Sequence, residues 1–131
     1  MPHITLECSE NLEAAADLQG LCRVLHSAAL ESGMFELGAL RVRALVARYY
    51  AVADLDPRNS FIHIHVRIGE GRALERVREM GEDLFATASR YLEPLLATSY
   101  FALSLEISEI NSALSWKKNA IHQRLRVAAS V

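Results

Sequence analysis

Lysine is almost missing from this sequence. All but two of its 14 basic residues are arginine, and the two exceptions, Lys117 and Lys118, stand side by side. Against 16 acidic residues the net charge is −2, which leaves no global attraction for a phosphate backbone or an anionic membrane, so neither nucleic acid nor membrane is an expected partner. The positive charge that exists is mostly the guanidinium fork, suited to a bidentate grip on carboxylates. Cysteine is scarce too. Cys8 and Cys22 make no disulfide framework and sit in no metal-like spacing; on apolar phases of their elements they read as buried free thiols. No uninterrupted apolar run is long enough for a membrane span, and no basic stretch followed by an apolar one opens the chain. A cytoplasmic location is expected.

What is present points to a packed protein. The 131 residues are 51% hydrophobic, which suits a single domain over 1–131 with enough apolar surface to bury some of it against copies of itself. The opening HITLEC alternates Ile4, Leu6 and Cys8 with His3, Thr5 and Glu7, the period of a strand, and Pro2 stands where a strand tolerates a residue without an N–H. In ADLQGLCRVLHSAALESG, Leu18, Cys22, Leu25 and Ala29 recur at helical spacing between Asp17 and Gly33. LRVRALVARYYAV reads as a strand that presents Arg41 and Arg43 to one face and runs into an aromatic stretch. After the turn-rich ADLDPRNS the order repeats: FIHIHVRI as a strand, a GEGR bend, a helix with Leu74, Val77, Gly81, Leu84, Ala88, Leu92 and Leu95 on its stripe, and SYFALSLEISEI as a last strand. An amphipathic tail, ALSWKKNAIHQRLR, closes the chain. Two βαβ units therefore form an α/β (α+β) four-stranded sheet, the strands within each unit parallel and the helices on one face. Trimerisation would cover the other face.

Few motifs carry chemistry. GEGR lacks the rest of a dinucleotide fingerprint or P-loop, so it suits an anion held by the helix start and Arg72 better than a nucleotide. His63 and His65 share a strand face without a third ligand in register, so no metal is expected. No nucleophile elbow, zinc-protease motif or Cys–His pairing is present. Pro2, Arg41 and Arg72 remain as the informative set.

With its duplicated βαβ halves, the chain resembles the tautomerase superfamily, and within it the 5-carboxymethyl-2-hydroxymuconate isomerase family. The resemblance runs through PHITLEC and SENL, ADLQGL, SGMFELGALRVRA, FIHIHVRIGEGRALE, MGEDLF, YFALSLEISEIN and LSWKKNAIH, nearly the whole length. VARYYAVAD departs from the best-known members. The resemblance implies a tautomerase-like fold packed as a homotrimer and a cofactor-independent isomerase acting on a small polycarboxylate enol acid in aromatic-acid breakdown. It also implies catalytic roles for Pro2, Arg41 and Arg72, with Arg43 as a substrate-binding residue; His63, on the polar face of its strand, is a further substrate-binding candidate. An amide-bonded Pro2 has no basic lone pair, so that reading requires removal of Met1. Two other readings stay open at this point: a non-catalytic ferredoxin-like module that binds a metabolite, and a tautomerase for another enol acid such as phenylpyruvate.

Overall fold

The computed structural model describes residues 1–129. The strands are β1 (His3–Ser9), β2 (Arg41–Ala47), β3 (Ser60–Gly69) and β4 (Phe101–Ile110); the helices are α1 (Leu18–Glu31), α2 (Leu74–Tyr91), the short α3 (Glu93–Leu96) and α4 (Ala120–Ala129). They form one four-stranded sheet in the order β2-β1-β3-β4. β1 runs parallel to β2 and antiparallel to β3, and β3 runs parallel to β4. The two βαβ units thus meet along their first strands, as their crossover helices require.

Alternation sets the two faces of the sheet. Ile4, Leu6 and Cys8 of β1 and Ile62, Ile64, Val66 and Ile68 of β3 are fully buried, against Leu21, Cys22, Leu25 and Ala29 of α1 and Met80, Leu84 and Ala88 of α2. Burial of each large aliphatic side chain here contributes about 1.5–3 kcal/mol. α1 begins at Asp17, whose side chain accepts from the Gly20 N–H at 3.0 Å, a cap worth about 1 kcal/mol. At Gly81 a Cβ would come within 2.7 Å of Ile107 Cδ1, so α2 lies against β4 as closely as a residue without a side chain permits.

The opposite face is polar. It carries His3, Thr5, Arg43, His63, His65, Arg67, Ser104, Glu106 and Ser108 by register. Side-chain contacts cross it: His63 Nδ1 lies 2.6 Å from Ser104 Oγ, His63 Nε2 3.1 Å from Glu106 Oε1, and His65 Nε2 2.7 Å from Ser108 Oγ.

Three expectations are corrected. β2 stops at Ala47, before Arg48, Tyr49 and Tyr50, because its partner ends there: the last β1–β2 pair is Ser9 with Ala47, and Ser9 leads into a 3-10 turn. Leu74, expected on the buried stripe of α2, is 67% exposed while Met80 is buried; Leu74 is the first residue of the helix and lines a surface groove with Phe85 and Ile107. Finally, α2 does not continue to Leu95. It gives way after Tyr91 to α3, whose start contains Pro94, a residue that cannot extend the ladder of the preceding helix.

α4 returns the chain to the 3-10 turn at Leu37–Ala39. Glu36 receives two bonds from Arg126, at 2.7 and 3.0 Å, and lies 3.0 Å from His122 Nε2. Gly38 is what allows this approach, since a Cβ there would stand 2.6 Å from the His122 Cα. Gly38→Ala is therefore expected to displace α4 at a cost of about 1–3 kcal/mol. Faster amide exchange in residues 120–126, with β1 and β3 unchanged, is the outcome to look for; unchanged exchange in α4 contradicts this packing.

Candidate active site

Pro2 precedes the first residue of a central strand. Its carbonyl accepts from the Arg41 N–H at 3.2 Å, its side chain is buried, and its missing N–H leaves no gap in either ladder, which begin at His3. Met1, bonded to the Pro2 nitrogen, lines a cleft of about 640 Å³ together with His3, Gly69, Ile110, Ser112, Ser115, Trp116, Lys117 and Lys118. No acidic side chain is among them.

The arginines reach this end of the sheet from two sides. Arg41 begins β2, paired with His3, and its Nη1 donates to the carbonyls of Gly38 at 2.9 Å and Leu40 at 3.3 Å. Arg72 follows β3 across the GEGR bend, where Gly71 adopts φ +104°, a conformation that favours glycine. Its Nη1 donates to Gly69 O at 3.0 Å and its Nη2 to Met34 O at 3.1 Å, and the guanidinium carbon stands 5.2 Å from the centre of the Phe35 ring. Both forks are thus held by neutral backbone carbonyls. Neither has a carboxylate partner among the described residues, and neither does Lys117.

The terminal amine feels all three cations. Burial first, then Lys117, then Arg72 and Arg41, hold its pKa below the ordinary value. Here the amine is that of Met1, one residue out from Pro2, and it stands in for the Pro2 nitrogen as a reporter of the local field. His3 is lowered as well, by burial and then by Arg43, whose Nη1 is 3.1 Å from the His3 Nδ1. With Arg43 as the donor, Nδ1 accepts, and His3 is neutral.

Of the residues singled out in the sequence, Arg41 and Arg72 both act on the terminal amine next to Pro2 without lining the cleft itself; Arg41 and Arg43 line a neighbouring groove with Leu37, Ile121 and Leu125, and Arg43 touches His3. His63 is elsewhere in the chain. It pairs with Glu7, roughly 13 Å along the strand from His3 at the usual rise per residue, and is engaged with Ser104 and Glu106. The sequence reading missed His3, Trp116 and Lys117 as parts of this cleft. The available signal was compositional: both lysines of the chain stand next to its sole tryptophan.

A family model described as 5-carboxymethyl-2-hydroxymuconate isomerase matches residues 2–125. The chain is 34% identical to the 5-carboxymethyl-2-hydroxymuconate Delta-isomerase of Escherichia coli over 122 residues, 93% of this chain and 97% of that protein. Its structure is similar to the crystal structure of a 5-carboxymethyl-2-hydroxymuconate isomerase from Deinococcus radiodurans R1, with a TM-score of 0.88 at 38% identity, covering 95% of this chain and 94% of the other. A macrophage migration inhibitory factor-like protein from Entamoeba histolytica, 10% identical, shares the fold with a TM-score of 0.61 over 90% of this chain and 96% of its own.

Proposed function

Since the chain belongs to the 5-carboxymethyl-2-hydroxymuconate isomerase family, we propose that it isomerises 5-carboxymethyl-2-hydroxymuconate, with the Pro2 nitrogen, freed by removal of Met1, as the general base. The protein is an isomerase; the substrate and the residue roles are the proposal. The observation that carries it is that Arg41, Arg72 and Lys117 all act on the terminal amine, with no carboxylate among the described residues paired to any of them. Such a site is complete only when an anion enters.

The chemistry follows from a base beside cations. The amine takes the proton of the 2-hydroxyl; as C2 becomes a ketone, the double bond moves from C2–C3 to C3–C4, and the C4–C5 pair accepts a proton at C5. The proton taken equals the proton returned, so the step needs no metal or redox partner. A general base works best with a pKa near the working pH. Burial and the neighbouring cations favour the neutral, proton-accepting form of an amine at this position. The guanidinium forks orient the acid and stabilise the oxyanion as it forms.

The polar face of the sheet supports packing of three copies around it, with His63 and His65 inside that assembly rather than in the cleft. Residues 1–131 act as one domain, in the cytoplasm. Loss of the dienol ultraviolet band on adding the methionine-free protein to 5-carboxymethyl-2-hydroxymuconate tests the reading, with phenylpyruvate alongside. Turnover of phenylpyruvate alone contradicts it.

A further inference from the structure

The segment between β4 and α4 is pinned at both ends across the mouth of the cleft. At one end Ser112 donates through its N–H, at 2.9 Å, and through its hydroxyl to Glu70 Oε1. At the other, Asn119 donates from Nδ2 to Gly38 O at 2.9 Å and accepts from the His122 N–H at 3.0 Å. Gly38 O is the carbonyl that also holds Arg41, so the segment is registered against the same frame as the arginines. Lys117 stands two residues from that anchor with an exposed side chain that lines the cleft beside Met1. The nearby Glu70 carboxylate is committed to Ser112 and is not its partner.

Met1 marks the space that its removal opens. Met1 and Lys117 line the same cleft, and the Met1 nitrogen is only about 4 Å of backbone bonds from the Pro2 nitrogen. Once Met1 is gone, Lys117 faces Pro2 across a gap that a bound acid can fill. Arg41 and Arg72 are planar forks, each matched to one carboxylate. The proposed substrate has three: one at each end of a six-carbon chain and one on a carboxymethyl branch. A compact ammonium suits the carboxylate that the forks leave over.

From this arrangement we propose that Lys117 grips the branch carboxylate and is the residue that makes the cleft select three-carboxylate acids over two-carboxylate ones. The inference rests on the isomerase reading, but its closing experiment does not need turnover. Trp116 lines the same cleft and is the sole tryptophan, so its fluorescence reports binding. The methionine-free protein is titrated with propane-1,2,3-tricarboxylate and with glutarate, and kcat and KM are measured for 5-carboxymethyl-2-hydroxymuconate and for 2-hydroxymuconate, which lacks the branch.

Lys117→Met is expected to weaken the tricarboxylate roughly 10- to 100-fold and to raise KM for the branched substrate by a similar factor, the range for loss of a charge-assisted bond. Glutarate binding and KM for 2-hydroxymuconate are expected to change less than about threefold while the acid limb of kcat moves to higher pH for both substrates, and Lys117→Arg, which restores the charge, is expected to recover most of the loss. Equal losses for both classes of acid, or none for either, overturn the proposal. Selective binding by native protein that fails to isomerise anything sinks the isomerase reading and leaves Lys117 as the third-carboxylate site.

Discussion

Pro2→Ala, with the new terminus unblocked, is expected to lower kcat roughly 10²-fold, the lower part of the range for a general acid–base group, while circular dichroism and oligomer mass stay unchanged. The substitution leaves an amine but removes the ring that fixes its direction. An alanine nitrogen at the same place turns about a bond that proline lacks, and the orientation that brings the base to the 2-hydroxyl proton is no longer built in. The fold has little to lose. Pro2 makes no ladder bond through its nitrogen, and the bond to its carbonyl from the Arg41 N–H is one that alanine keeps. Unchanged turnover marks the ring nitrogen as a bystander.

Arg72→Ala is expected to lower kcat/KM roughly 10²-fold, mostly through KM, as befits loss of one of the two charged forks that hold the anion. A second effect separates it from a packing defect. Arg72 is among the cations that lower the pKa of the Met1 amine, one residue from Pro2; a cation beside the freed Pro2 nitrogen acts in the same direction, so removing it lets that pKa rise. A base acts only when deprotonated, so activity falls on the acid side of its pKa, and the acid limb of the rate profile is expected to move to higher pH. Arg72→Lys retains the charge but not the fork, so the limb stays near its native position while KM still rises. An Arg72→Ala profile with native KM and a native acid limb contradicts both roles.

Why some of this was legible before the structure and some was not comes down to what periodicity encodes. FIHIHVRI announces β3 because alternation of Ile62, Ile64, Val66 and Ile68 with polar residues is a statement about two faces, and those four are the ones buried. The same alternation put His63 on the correct face without saying which end of the sheet it occupies. That is a matter of register, set by the pairing of Glu7 with His63. Leu74 fails for a related reason: helical spacing finds a stripe but not the point at which the stripe runs past the sheet. Pro2, Arg41 and Arg72 were singled out in the sequence, each at the boundary of an element, and given their expected roles by resemblance. Lys117 was not, because its place at the cleft depends on α4 folding back onto Gly38, a contact between residues some eighty positions apart that no local pattern records.

The central claim is that an unblocked Pro2 nitrogen does the proton transfer, and it is tested most directly by assaying two preparations of verified intact mass, one with Met1 and one without. The methionine-free protein is expected to turn over 5-carboxymethyl-2-hydroxymuconate at least roughly 10²-fold faster, because an amide nitrogen has no basic lone pair to take the proton. Equal turnover by the two preparations contradicts the claim.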